Sequence, residues 1–303
     1  MTAEHEVESA IAPPAKRSDF REYPTVITCC GIAIAVTIAW GARLDISPLL
    51  ETAEIRRGEL WRLLTSAFPH LDIVHLFANL YWLWEFGQPI ERHFGHVKTA
   101  LLLMLLAVVS GAFEFGFLSG GVGLSGVGFG LFGLLWILSR RDDRFHKAIS
   151  RQTSQLFAMW FVFCVAATWT GFMPIGNVAH GTGFITGVLI GLAITSQRRR
   201  RLLIGTVSAF ALSGLWSATL GRPLINLSGR AGYEEARWGY EDLIAHQDAS
   251  AVRWLRDASR LQPDDMGVWH NLALAYQRVG DRQAAVAAAE RATALGDDTP
   301  KPR

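Results

Sequence analysis

Residues 121–133 read GVGLSGVGFGLFG, and the serine among these glycines is the first candidate for chemistry in the chain. Ser125 lies in a Gly-x-Ser-Gly frame that opens an apolar segment. A hydroxyl is a weak nucleophile alone, so it needs a nearby base and donors for an oxyanion. A helix N-terminus supplies unpaired backbone N–H groups and the positive end of the dipole. Taken alone, the stretch is more typical of a glycine-rich helix contact with an incidental serine.

The composition indicates a membrane protein. The chain has 303 residues, 50% of them hydrophobic, and long stretches carry almost no charged residue. About 20 apolar residues suffice to cross a bilayer as a helix. The formal net charge of +2 does not suggest nucleic-acid binding. The 3 cysteines fall in apolar stretches and show neither a disulfide framework nor a metal-ligand spacing.

The apolar segments predict an all-α, polytopic membrane helical bundle. A lipid environment forces each segment to satisfy its backbone hydrogen bonds internally, and only helices do so within one segment. The seven predicted spans are residues 25–41, 71–87, 97–117, 122–138, 155–170, 178–195 and 202–220. Residues 1–24 lack the apolar core of a signal peptide and are predicted to be a disordered tail.

Basic residues predict the orientation of the spans. They cluster at 16–21, 140–151 and 198–201, whereas the third and fourth spans, and the fifth and sixth, are joined without Lys or Arg. The positive-inside rule then places the N-terminus in the cytoplasm. The four Arg of the loop 42–69 oppose this orientation, but four acidic residues in the same loop accompany them. A seventh crossing by 202–220 would place the C-terminal part outside the cytoplasm; a surface helix there would leave it in the cytoplasm.

The C-terminal part, 227–299, is predicted to be a small domain of helical repeats. Segments 232–265 and 266–299 align at an offset of 34 residues, the period of tetratricopeptide repeats. The second segment follows the aromatic and small-residue pattern of that repeat, whereas the first departs from it at Glu235 and Asp242. A tetratricopeptide-like domain would bind a protein partner. An unrelated pair of helical hairpins is the alternative.

Polar residues inside the predicted membrane region are functional candidates, because ionisable groups are costly there. His70 precedes the second span, and His75 and Asn79, at i and i+4, share one face of it. A metal site is not predicted, since the two histidines stand at i and i+5 and a His-Glu-x-x-His motif is absent. Asp72 lies off that face, so no third ligand is evident. We expect neither a metal nor a cofactor.

Glycine spacing predicts that the sixth span packs closely against the fourth. Gly183 and Gly187 follow His180 on one face of the sixth span. Gly126 and Gly130, which follow Ser125 on the fourth span, are likewise four residues apart. Small residues four apart let helix backbones approach closely in lipid. The contact would bring the imidazole of His180 to the hydroxyl of Ser125. The alternative is glycine packing alone, with the histidines exposed at the headgroups.

A transporter with a proton relay is a rival from another class of protein. It would be expected to carry intramembrane carboxylates and internal repeats among its spans. Glu114, at the end of the third span, is the one obvious candidate for such a carboxylate, and no internal repeat is visible among the spans.

Together these motifs resemble the rhomboid intramembrane serine proteases. The resemblance covers roughly residues 25–196, and a seventh span fits the six-plus-one variant of that family. The matching pieces, in order, are Trp61-Arg62, His70-x4-His75-x3-Asn79, Glu91-Arg92 followed by Gly95, Gly123-x-Ser125-Gly126, and Ala179-His180-x2-Gly183-x3-Gly187.

The resemblance implies a role for each matching residue. Ser125 would be the nucleophile and His180 the general base, in a dyad without aspartate. His75, Asn79 and the Ser125 backbone N–H would stabilise the oxyanion. Phe129 stands where the family packs an aromatic ring against the imidazole. The remaining matches would support this site: Gly123, Gly126, His70, Arg62, Glu91, Gly183 and Gly187, with Arg62 and Glu91 structural.

The expected function is intramembrane endopeptidase activity by a protease domain over residues 25–221. Its partners would be the lipid bilayer and transmembrane protein substrates, cleaved at small residues in helices that unwind easily. Two alternatives are a catalytically inactive rhomboid-like binding protein and a tetratricopeptide scaffold with a passive membrane anchor. The second would leave the intramembrane histidines without a purpose.

Overall fold

The computed structural model describes residues 22–228 and 232–296, and the regular structure in these residues is helical throughout. Most of the predicted tail, residues 1–21, and the end of the second repeat lie outside the described residues. The all-α membrane bundle predicted from the sequence is confirmed.

Seven long helices correspond to the seven predicted spans. They are α1 (Pro24–Gly41), α3 (Ile73–Phe94), α4 (His96–Phe117), α5 (Ser125–Arg141), α6 (Arg151–Trp169), α7 (Asn177–Thr195) and α8 (Arg200–Ala218). Two short helices, α2 (Arg62–Thr65) and α9 (Arg222–Ile225), lie in connections. Within the described residues, 4 of the helices (α1, α4, α7 and α8) are long and apolar enough by themselves to cross a membrane.

The other three long helices depart from a simple apolar span for visible reasons. The second helix of the bundle, α3, carries Glu85, Glu91 and Arg92 in its last turns. The central helix α5 has 17 residues, and α6 opens with a polar turn. The start of α5 also differs from the predicted span 122–138, because Gly120 and Gly123 have positive φ values of 88° and 107° that break the helix before Ser125.

The core of the bundle is built around α5. Its residues Leu131, Leu134, Leu135 and Leu138 are fully buried, as expected of a helix surrounded by protein. One side of α5 faces α4, where the Leu106 side chain fills the space beside Gly130. The other side faces α7.

The C-terminal half of α8 packs on the C-terminal half of α4. The rings of Phe210 and Phe113 lie 4.7 Å apart, and Ser217 Oγ donates to Ala112 O at 3.3 Å. The chain that leaves α8 follows α4 to its end, where the Asn226 amide donates to the carbonyls of residues 115, 116 and 118. The seventh long helix is thus an integral part of the bundle.

The C-terminal helices form two hairpins. They are α10 (Tyr233–Ile244) with α11 (Asp248–Leu261) and α12 (Met266–Val279) with α13 (Arg282–Ala294). Each hairpin falls within one of the two predicted repeats, and they share a small core. The tetratricopeptide assignment stays a prediction. Glu235, where the first repeat departs from that pattern, is 1% exposed and faces the rest of the chain.

Candidate active site

Ser125 and His180 form a buried hydroxyl–imidazole pair. Ser125 is the first residue of α5, and His180 lies in the first turn of α7. The His180 Nε2 and Ser125 Oγ atoms are 2.8 Å apart, and His180 is 3% exposed. At this distance a neutral imidazole can accept the hydroxyl proton, which is the geometry that activates a serine nucleophile.

Glycines allow the two helices to approach. A Cβ atom at Gly183 would overlap the carbonyl oxygen of Gly126, and one at Gly187 would overlap that of Gly130. The backbones of α5 and α7 are therefore in direct contact below the Ser125–His180 pair. This confirms the close packing that the spacing predicts, and it explains why the two side chains meet at the top of the interface.

The orientation of the imidazole comes from packing. The Phe129 ring stacks on the His180 ring, with centroids 4.4 Å apart and an interplanar angle of 22°. The Phe129 ring in turn meets Phe157 and Phe161 of α6, at 5.2 Å and 6.0 Å. The other imidazole nitrogen, His180 Nδ1, has no hydrogen-bond partner among the described residues. Among the described residues, aromatic packing rather than a hydrogen bond at Nδ1 thus orients the imidazole.

His70 holds the backbone next to Ser125. Its Nδ1 lies 2.9 Å from Phe68 O, and its Nε2 accepts from Leu124 N–H at 3.3 Å, so both ring nitrogens have partners. Burial, together with the neighbouring His75, lowers the pKa of the His70 imidazole to about 4. A neutral ring at ordinary pH is consistent with an acceptor at Nε2.

His75 and Asn79 lie where the glycine-rich segment passes α3. The His75 and His70 rings meet edge to face at 4.9 Å. A Cβ atom at Gly123 would fall 2.7 Å from the His75 ring, so only glycine permits this approach. Asn79 is 8% exposed and its Nδ2 donates to His75 O at 2.9 Å, which leaves a second amide hydrogen for another acceptor.

The structure places Arg62 and Glu91 away from the Ser125–His180 pair. Arg62 donates to the carbonyls of Ser47 and Leu50, at 2.5 Å and 3.1 Å, and so fastens the loop before α2. The Glu91 carboxylate accepts from the N–H groups of Thr25 and Val26, at 2.8 Å and 2.9 Å, at the start of α1. Both contacts are structural.

Two carboxylates that sequence reasoning did not assign to the site hold its backbone. Glu114 accepts from Ala179 N–H at 2.9 Å, next to His180. Glu51 accepts from Gly121 N–H at 2.9 Å, four residues before Ser125, and burial raises its pKa to about 8. The position of Glu114 inside an apolar segment was a usable signal. Glu51 gave none, because it is one of several acidic residues in a polar loop.

Comparisons with known proteins match the part of the chain that contains Ser125 and His180. Residues 57–197 match the Rhomboid domain family. The chain is 27% identical over 177 residues to the rhomboid protease GlpG of Salmonella paratyphi A, and 31% identical over 177 residues to that of Salmonella newport. Both matches cover 58% of this chain and 63% of the relative, so the chain spans less than two thirds of these relatives. The α-helical membrane bundle agrees with these matches, which support a rhomboid domain over residues 57–197.

Proposed function

We propose that the protein is an intramembrane serine endopeptidase that hydrolyses peptide bonds in or near the transmembrane segments of other membrane proteins. The observation that carries the proposal is the 2.8 Å contact between His180 Nε2 and Ser125 Oγ in a buried site. The relatives named rhomboid proteases support the same reaction class.

In the first step, Ser125 Oγ attacks the scissile carbonyl carbon while its proton passes to His180 Nε2. The carbonyl π electrons move onto the carbonyl oxygen, which becomes an oxyanion. Collapse of this tetrahedral species breaks the C–N bond, and the imidazolium gives its proton to the leaving amine. A water molecule then hydrolyses the acyl ester with the same imidazole as base.

The oxyanion needs donors placed before the reaction starts. Ser125 supplies its own backbone N–H, which has no intrahelical acceptor in the first turn of α5. Asn79 offers its second amide hydrogen, and His75 offers a ring N–H next to the Gly123 backbone. We assign these three groups to oxyanion stabilisation.

We also propose a topology for the chain. The N-terminus lies in the cytoplasm, and the site opens toward the non-cytoplasmic side of the membrane, where the C-terminal helices lie. A tetratricopeptide-like surface on those helices would bind a protein partner.

A fluorophosphonate probe tests the proposal on the purified full chain in detergent. We expect covalent labelling at Ser125 and cleavage of a transmembrane substrate, with both lost in Ser125→Ala and in His180→Ala. Ser119→Ala is the matched control, because Ser119 is exposed in the turn before the glycine-rich segment. A folded Ser125→Ala protein that still cleaves the substrate would refute the nucleophile. A wild-type protein that neither labels nor cleaves would favour a rhomboid-like binding protein.

A further inference from the structure

The C-terminal hairpins are docked on the loop that precedes α2. Trp238 of α10 and Trp254 of α11 are 1% and 4% exposed. Both pack in one hydrophobic cluster with Ile55 of the loop, Leu63 of α2 and Phe115 of α4. Apolar burial of two tryptophans is a substantial contact, since an aromatic side chain buries about 150–250 Å².

A buried charge cluster fixes the orientation of this contact. Arg56 of the loop pairs with Glu235 at 2.9 Å and with Asp257 at a shorter distance. Glu235 also pairs with Arg222 at 3.1 Å, so two cations face two anions. The side chains of these four residues are at most 10% exposed. Removing one member of a buried set leaves a charge without compensation, which is strongly unfavourable.

Two further contacts join the same loop turn to the hairpins. The turn Ala53–Arg57 begins with a backbone N–H that donates to Glu234 Oε2 at 2.6 Å. The Arg57 guanidinium lies over the Trp238 ring, 4.1 Å from its centroid. The hairpins therefore supply the cap and one face of this turn.

The loop holds the segment that leads to Ser125. Glu51, two residues before the turn, accepts from Gly121 N–H at 2.9 Å. Farther along, Ser66 O accepts from Gly123 N–H at 3.1 Å, and Ser66 Oγ donates to Glu51 Oε1 at 3.1 Å. A continuous set of contacts thus runs from the hairpins through the loop to the backbone just before the nucleophile.

We propose that the docked C-terminal hairpins are a positioning element of the active site, with Arg56, Glu235 and Asp257 as positioning residues. The inference rests on the proposed function. When the hairpins leave the loop, the turn loses its cap and its apolar cover, and the hydrogen bonds to Gly121 and Gly123 loosen. Ser125 then departs from the geometry that His180 requires. A misplacement of about 1 Å can lower the rate about 100-fold where catalytic geometry is strict.

Glu235→Arg in the full chain tests the inference, because it places a third guanidinium beside Arg56 and Arg222. The matched control is Glu241→Arg, the same substitution on α10 at a side chain that is 49% exposed. Arg56→Met and its conservative partner Arg56→Lys form a milder second pair. Fluorophosphonate labelling gives two readouts: the amplitude counts folded sites, and the rate reports the geometry of Ser125.

We expect Glu235→Arg to lower both the labelling rate and kcat at least tenfold, while the labelling amplitude stays full and KM is unchanged. Glu241→Arg should match the wild type. Arg56→Lys should retain more activity than Arg56→Met. Amide hydrogen exchange at Gly121 and Gly123 should accelerate in Glu235→Arg. A loss of amplitude at an unchanged rate would show a merely structural role and overturn the inference. The inference would also be overturned if Glu235→Arg had the same labelling rate and the same amide exchange rates as the wild type.

Hydrogen exchange at Gly121 and Gly123 distinguishes failure of the positioning inference from failure of the protease proposal. If the wild type never labels, the protease proposal fails, while faster exchange at Gly121 and Gly123 in Glu235→Arg still shows that the hairpins hold this segment. If the wild type labels and the exchange rates stay equal, the positioning inference alone fails.

Discussion

The ring of Phe129 lies flat against the ring of His180, with centroids 4.4 Å apart. This stacking, four residues after Ser125 on α5, is the only ring contact that the described residues make with the candidate base. Since His180 Nδ1 has no hydrogen-bond partner among the described residues, the stacked ring limits rotation of the imidazole.

Substitution of Phe129 by leucine should therefore lower kcat about tenfold while the protein stays folded. Phe129→Tyr should retain the stacking and stay close to the wild type. The measurement is kcat and KM for a transmembrane substrate, with the probe-labelling amplitude as a count of folded sites. Equal kcat in Phe129→Leu and the wild type would show that the ring does not orient the base.

Asn79→Ala should lower kcat about 100-fold, because loss of one oxyanion donor costs about 3 kcal/mol in serine proteases. Labelling of Ser125 should remain detectable, since the donor acts on developing charge and the base is intact. Asn79→Asp is the matched variant: it keeps the shape and removes the donors, and it should be at least as impaired. Wild-type turnover by either variant on several substrates would leave Asn79 with a packing role only.

The sequence predicts the parts of the site that follow helical periodicity. His75 with Asn79, and His180 with its glycines, share helix faces at spacings of three and four, and the structure brings each set together. Loop contacts carry no such period. Glu51 meets Gly121 across 70 residues, and Arg56 meets Glu235 across 179 residues, so neither pairing is visible in a local pattern. The ion pairs of Glu235 with Arg56 and Arg222 account for a buried charge at a position where the predicted repeat would carry a large residue.

Gly187→Val should abolish cleavage, because even a Cβ atom at this position would overlap the carbonyl oxygen of Gly130. Gly187→Ala should already lose most activity, with valine worse, as the helices are forced apart below Ser125 and His180. Gly205→Ala is the control, since a Cβ atom there would have nothing within 4 Å. Substrate cleavage and thermal unfolding of each variant are compared. Equal effects at Gly187 and Gly205 would mean that helix propensity, not packing, explains the loss.

His70 should make the stability of the fold depend on pH in acid. Its pKa is lowered to about 4 in the folded protein, against an ordinary value of 6.5, so between these values the unfolded chain binds the extra proton. The stabilising contribution of neutral His70 is therefore complete above pH 6.5 and is lost as the pH falls toward 4. The slope is at most about 1.4 kcal/mol per pH unit for one proton.

His70→Gln provides the comparison for this prediction, because the glutamine amide can donate to Phe68 O and accept from Leu124 N–H without titrating. The stability of the wild type relative to His70→Gln, from thermal unfolding in detergent, should fall as the pH is lowered from 6.5 to 4. A difference that stays constant over this window would contradict the lowered pKa.

The C-terminal hairpins should lie on the non-cytoplasmic side of the membrane, at the end of the bundle that holds Ser125. In the structure the chain leaving α8 runs to the C-terminal end of α4, and the hairpins dock there on the loop before α2. The charge distribution supports this orientation, since α8 begins within the basic run 198–201 and carries no acidic residue.

With Cys29, Cys30 and Cys164 replaced, a single cysteine at exposed Ala287 should react with a membrane-impermeant maleimide in intact cells. A cysteine at exposed Lys147, at the opposite end of α5, should react only after permeabilisation, and the reverse pattern would invert the proposed topology.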